Sequence, residues 1–122
     1  MQTTPLLIIA ASESDSNLYY ATRFLAPDAF VFLRDRGESM LLMNDLEMDR
    51  AKSQAKVDTV LSYTTYEERA KAKLTERPRV AHVVRELLTE RGITAFDVPT
   101  NFPIEYGDLF RGMGFTVAVR PD

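Results

Sequence analysis

The chain has 122 residues, no cysteine, one histidine and a formal net charge of −3, with 45% hydrophobic residues. These values exclude a disulfide framework, a thiolate nucleophile and a cysteine-based zinc site, and they argue against nucleic acid as a partner, because phosphate tracking rests on clustered Lys and Arg. A single domain of this length buries roughly two thirds of the surface its unfolded chain exposes; no apolar run approaches the ~20 residues of a membrane span, and Met1-Gln2-Thr3-Thr4-Pro5 lacks the basic start of a signal peptide, so no membrane partner and a cytoplasmic location are expected.

Leu6-Leu7-Ile8-Ile9-Ala10 is a short continuous aliphatic run, which predicts a strand inside the sheet, buried on both faces. Ser12 to Ser16 offers several helix caps, and a helix is predicted from about Asn17 to Leu25, ended by Pro27-Asp28. Phe30 to Leu33 and Met40 to Met43 are two apolar segments joined by the polar, Gly37-bearing stretch Arg34 to Ser39, the pattern of an antiparallel hairpin. Asn44-Asp45-Leu46-Glu47 has the form of a capping box for a helix through Met48, Ala51 and Ala55. Val57 to Leu61 reads as a strand, and Thr64-Thr65-Tyr66-Glu67 repeats the capping pattern before a charged helical stretch that Pro78 interrupts. Val80, Val83, Val84, Leu87 and Leu88 then fall on one helical face, with Gly92 placed to end it. Ile93 to Val98 and Phe115 to Val119 read as the last strands, flanking a helix from Phe102 to Met113. The predicted order β, α, β, β, α, β, α, β, α, β makes one domain, residues 1–122: an α/β three-layer sandwich, a mixed sheet of about six strands with helices on both faces.

Few residues suggest chemistry. His82 lies roughly 200° round its helix from Val80 and reads as a solvated surface histidine. Asp45, Glu47 and Asp49 are dense in sequence, but i, i+2 and i+4 carboxylates on a helix do not converge on one point. Gly107-Asp108-Leu109-Phe110-Arg111-Gly112 has the glycine spacing of a phosphate loop, yet Met113-Gly114 follows where Lys-Ser or Lys-Thr would be needed. Arg69, Lys71, Lys73, Arg77 and Arg79 are diluted by Glu67, Glu68 and Glu76 and read as a solvated face. Tyr19, Tyr20 and Phe24 sit at helical spacing, and core packing is expected for Tyr20 and Phe24.

Two stretches resemble the amino-terminal domain of the creatinase, prolidase and aminopeptidase P family. Its members carry Asn or Asp, two variable residues, then Tyr-Leu-Thr-Gly-Phe; here Asn17 takes the first position and Tyr20, Thr22 and Phe24 match, with Ala21 for Leu and Arg23 for Gly. Glu47-Met48-Asp49-Arg50-Ala51 reproduces the Glu-x-x-Arg-Ala core of the helix after the hairpin. The resemblance implies the family's N-terminal fold, with its ribonuclease H-like motif, and a domain that is itself non-catalytic. It also implies a proline-specific (Xaa-Pro) metallopeptidase as parent, a dipeptidase or aminopeptidase acting on proline-containing peptides. The two divalent metal ions (Mn, Co or Zn) would belong to a separate C-terminal catalytic domain, and none to this chain. Homodimer formation and control of substrate access are the expected roles, with Asn17, Tyr20 and Arg23 at the substrate-access edge, Arg23 able to offer a guanidinium to a substrate carboxylate. The alternative is a pseudo-peptidase or protein and peptide interaction domain of the same fold. Only five residues precede Leu6, where the family places an amphipathic helix, and the chain stops after Arg120-Pro121-Asp122, so an excised domain is expected.

Overall fold

The computed structural model describes residues 4–10, 15–25 and 29–121, with 16 and 17 described by their backbone alone. Six strands form one sheet: β1 (Leu6–Ala10), β2 (Phe30–Asp35), β3 (Glu38–Met43), β4 (Thr59–Ser62), β5 (Ala95–Val98) and β6 (Thr116–Val119). Their spatial order is β4-β3-β2-β1-β5-β6. The β1–β2 and β2–β3 pairs are antiparallel, and the β3–β4, β1–β5 and β5–β6 pairs are parallel. The hairpin therefore supplies the only reversed strand among those described. Among the described residues five α-helices cover the sheet: α1 (Ser16–Thr22), α2 (Met48–Gln54), α3 (Tyr63–Lys71), α4 (Val80–Glu90) and α5 (Ile104–Gly112).

Alternation along the strands divides the core into two layers. On one face Leu7, Ile9, Val31, Leu33, Met40, Leu42, Phe96, Val98 and Val117 meet Tyr66 and Ala70 of α3, Val83, Val84, Leu87 and Leu88 of α4 and Phe110 of α5. On the other, Ile8, Phe30, Phe32, Leu41 and Met43 meet Leu18, Phe24 and Ala51 from the α1 and α2 side. β1 lies centrally and buries Leu7, Ile8 and Ile9 towards both layers, as its unbroken aliphatic run predicts. The three-layer α/β sandwich with a mixed sheet follows the sequence pattern.

Several boundaries differ from the prediction. The hairpin strands run on to Asp35 and Glu38, which pair directly, leaving a two-residue turn. Arg36 at φ 52° and Gly37 at φ 83° give it the left-handed backbone that suits the twist of the strands. Asp35 is buried and accepts from Arg91 Nε at 3.0 Å, while Arg91 also reaches Glu38 at 2.9 Å. The hairpin tip is thus tied to the end of α4. The Thr64 to Glu67 cap is not used; Ser62 caps α3, accepting from Thr65 N–H, because the helix starts two residues earlier, directly off β4. The segment from Tyr63 to Glu90 holds two helices where one interrupted stretch is predicted, so the observed order has one more helix. Pro78 lies between them, and α4 begins two residues on. Gly92, at φ 72°, ends α4 as expected, with Ile93 N–H donating to the Leu88 carbonyl.

Asn44 accepts from Glu47 N–H at 3.0 Å, so the predicted cap forms, but its first turn is a 3₁₀ turn, Asp45–Glu47, before α2. Arg50 then joins the two stretches that carry the resemblance. Its guanidinium binds Glu47 at 2.7 Å, donates to the Leu25 carbonyl at 3.1 Å and lies 4.3 Å from the Phe24 ring centre. Glu47 and Arg50 are therefore a clamp on the chain that leaves α1, a structural reason for that spacing.

Candidate functional site

α1 is fixed at both ends by side chains. Asp15 accepts from Leu18 N–H at 3.0 Å and, through its other oxygen, from the Asn101 amide at 3.0 Å, so the helix start is anchored to the segment after β5. At the other end the buried Thr22 hydroxyl donates to the Leu18 carbonyl and accepts from Phe24 N–H. Ser12, Glu13, Ser14, Pro27 and Asp28, all named as caps or breakers, lie outside the described residues. The helix stops at Thr22, earlier than predicted, because Arg23 turns left-handed at φ 54°, ψ 27°.

That conformation disfavours any side chain with a Cβ, by roughly 1–2 kcal/mol. Arg23 N–H closes the turn on the Tyr19 carbonyl at 2.6 Å, and its guanidinium lies 4.3 Å from the Tyr20 ring centre. The structure thus brings Tyr20 and Arg23 together as a cation–π pair at the helix end. For Asn17 it gives only a backbone position in the first turn of α1, its side chain lying outside the description. Tyr20 corrects the sequence reading: it is 72% exposed, whereas Phe24 is fully buried. Leu18 and Thr22, four apart, take the inward stripe of this two-turn helix, and Tyr20 lies about 200° round from Leu18.

The exposed Tyr20 ring forms one wall of a groove of about 390 Å³. Leu6 and Ile8 of β1 and Ala21 make its apolar floor, and Arg34, Pro99 and Arg120 its other side. The groove lies beside α1 over the Leu6 end of β1 and the Arg34 end of β2, and next to it no described helix covers β5 and β6 on this face: Thr116 and Ala118 are exposed there. Arg120 is engaged, its Nε donating to Asp97 at 3.1 Å and its terminal nitrogen to the Thr4 carbonyl at 2.9 Å. Arg34 lies over Phe32 at 5.2 Å, and among the described residues no carboxylate comes within ion-pair distance of Arg34 or Arg23. Sequence reasoning missed Arg34 and Arg120. Arg34 was recoverable, since it alternates with Phe30 and Phe32 on one strand face; Arg120 was not, since only the β5–β6 pairing brings it there.

Elsewhere most of the residues singled out in sequence have structural partners. His82 is half-buried rather than solvated: its Nδ1 accepts from Arg79 N–H at 3.0 Å, capping α4. Burial, then the neighbouring Arg85 and Arg79 charges, hold its pKa below the ordinary imidazole value. Asp45 accepts from the Ser62 hydroxyl and Glu47 pairs with Arg50, so the acidic triplet does not converge. Gly107 to Gly112 lies within α5 and forms no phosphate loop. Arg69, Lys71, Lys73 and Arg79 pair with Glu90, Glu68, Glu86 and Glu105. A second, apolar cavity of about 270 Å³ opens at the carboxyl ends of β1 and β3, between Tyr63, Val80 and Tyr106. Burial, with smaller contributions from Glu67 and Tyr106, pushes Tyr63 up to about 12, so its hydroxyl stays protonated at neutral pH.

Among the described residues no three His, Asp or Glu side chains are grouped so as to hold a metal ion. No described helix is long and apolar enough to cross a membrane. No protein-family model matches the sequence, and no curated protein matches it. Solved structures do match in fold. An Xaa-Pro aminopeptidase from Streptococcus pyogenes superposes with a TM-score of 0.63 at 17% identity, over 97% of this chain and 78% of that one. A prolidase from Pyrococcus furiosus gives 0.60 at 15% identity, over 97% of this chain but 28% of that one. An X-Pro aminopeptidase from Thermotoga maritima gives 0.69 at 8% identity, over 96% and 30%. The chain thus spans less than a third of two of these relatives, and its architecture is the α/β fold of the aminopeptidase P and prolidase N-terminal domain.

Proposed function

We propose that this chain is the non-catalytic N-terminal domain of a proline-specific metallopeptidase, acting in subunit association and substrate access in the cytoplasm. The observation that carries the reading is the end of α1: an arginine held in a left-handed conformation, stacked on an exposed tyrosine, at the rim of an open groove. Strain kept at an exposed position is a sign of use, since a glycine there would relieve it. The fold shared with Xaa-Pro peptidases supports the same reading. In it, Tyr20 and Arg23 border the mouth of a catalytic site on another domain or subunit, Arg23 receiving a substrate carboxylate, and the divalent metals sit in that other domain.

The test is kinetic and uses the protein carrying its catalytic domain. Arg23→Ala is expected to change KM or peptide-length preference with the metal content unaltered. Light scattering on the chain alone is expected to show dimers at high concentration. Unchanged kinetics per folded molecule would overturn the substrate-access role, and a strict monomer would remove the association role. A parent lacking a complete metal-ligand set would favour the second reading, a peptide interaction domain of the same fold, which Arg34, without a carboxylate partner among the described residues, also suits.

A further inference from the structure

The groove beside α1 is more basic than the chain as a whole. The protein carries a net charge of −3, yet this face presents Arg34, Arg23 and Arg120, with Asp97 as the carboxylate paired to one of them. Arg34 stands opposite Leu6 across the β1–β2 ladder, and Leu6 stands opposite Asp97 across the β1–β5 pair. A row of side chains therefore runs across the open sheet: a guanidinium, an aliphatic, then an ion pair. Tyr20 rises at one side of this row with Arg23 stacked on it.

We propose that this groove docks an extended acidic peptide segment of a partner protein, whose carboxylates meet Arg34 and Arg23 and whose apolar side chain rests on Leu6 against the Tyr20 ring. Charge complementarity carries the choice of occupant. Arg34 lines the groove, and Arg23 stands beside it, stacked on the Tyr20 ring that forms the groove's wall; neither has a carboxylate partner among the described residues of an otherwise acidic chain, and an Arg fork matches a carboxylate in two parallel hydrogen bonds. A nucleic acid needs a longer cationic track than three guanidinium groups, one of them neutralised, can supply. An apolar helix alone would leave the arginines unused. The inference rests on the reading of Tyr20 and Arg23 as a ligand-facing edge, but not on the peptidase parent.

The experiment is fluorescence anisotropy of the 122-residue chain with a labelled peptide of alternating Glu and Phe, against the same peptide with Lys for Glu. The acidic peptide is expected to bind and to weaken with added salt, and the lysine peptide to show no binding. Arg34→Glu is expected to weaken the acidic peptide by about tenfold or more, and Tyr20→Ser by several-fold, because a charge pair and a stacking surface are lost. Lys52→Glu, the same charge change on exposed α2, is the control and should leave affinity unchanged. Circular dichroism of each variant establishes that it folds, and Arg34→Gln replaces Arg34→Glu should the latter not fold. Equal binding of both peptides, insensitivity to Arg34 substitution or equal loss with Lys52→Glu would overturn the proposal. Self-association of the chain that Arg34→Glu abolishes would also overturn it, naming a second copy as occupant. Failure here leaves the kinetic test of Arg23 in the parent untouched, and failure of that test leaves peptide binding by this chain standing.

Discussion

The two faces of the sheet are built from the same strands and are finished differently. The face under α3, α4 and α5 is closed across almost its whole width, with Phe96, Phe110 and Phe115 meeting edge to face at 5.3 to 5.9 Å near β5 and β6. The face under α1 and α2 is closed only over part of β1 to β4, with Phe24 set edge-on to Phe30 at 5.9 Å. Where its cover stops, the groove begins. One face does the work of stability, and the other divides its area between a smaller core and a surface that faces outward.

The sharpest way to break this comparison is to cut one aromatic from each core. Phe110→Ala and Phe24→Ala each remove a fully buried ring and should each lower stability by about 3–5 kcal/mol. Chemical denaturation measures both. The closed face should lose more, because Phe110 has two aromatic neighbours that cannot collapse into the space; a smaller loss there than for Phe24 would reverse the assignment of the main core.

Next in size is the hairpin tip, which ties the sheet to the closed face. Asp35→Asn leaves Arg91 with a neutral partner and should reduce stability by about 2 kcal/mol, in the range for hydrogen bonds to charged groups. Arg36→Asn, at the left-handed turn position, should be neutral or mildly stabilising, and a loss as large as that of Asp35→Asn would show that Arg36, not Arg91, is the essential partner.

A pH effect also belongs to the closed face. The folded state holds His82 below its ordinary pKa, so it favours the neutral ring, whose Nδ1 accepts from the start of α4. That contribution is complete above the ordinary imidazole value and is lost as pH falls through the lower folded one. Melting temperature should therefore drop on acidification from about pH 7 to pH 5, and drop less in His82→Asn, whose amide oxygen can still accept but does not titrate. An equal drop in both would assign the acid sensitivity to other groups; Glu90, whose pKa is lowered by its bonds from Arg69 and Tyr66, gives up its contribution only below the ordinary carboxylate value, outside this window.

The smallest effect should come from the open face. Arg23→Gly relieves the left-handed strain and should raise stability by about 0.5–1 kcal/mol. Thermal melts of the chain measure it. Destabilisation would mean that the Arg23 stack on Tyr20 holds the helix end, and the residue would then be structural rather than reserved for a ligand.

How much of this was legible in sequence follows the range of each interaction. Unbroken aliphatics in β1, the Val80 to Leu88 stripe and the Asn44 cap are decided by neighbours within a few residues, and they appear where the sequence puts them. The start of α3 after its Ser62 cap was misread because Thr64-Thr65 imitates a cap while β4 hands the chain to the helix two residues earlier. Tyr20 was misread because two turns of helix have room for one inward stripe, which Leu18 and Thr22 fill, and Phe24 is buried from beyond the helix end.

By itself the sequence determined the α/β class, the strands and most helices, since periodicity and caps act locally through backbone geometry and burial. It also supplied the resemblance that marked Asn17, Tyr20 and Arg23. Only the tertiary structure decided that Arg50 clamps the chain after Phe24, that Arg91 closes the hairpin and that Arg34, Arg120 and Tyr20 share one groove. Those contacts join residues tens of positions apart, and nothing in local spacing encodes a meeting that only the order of strands in the sheet brings about.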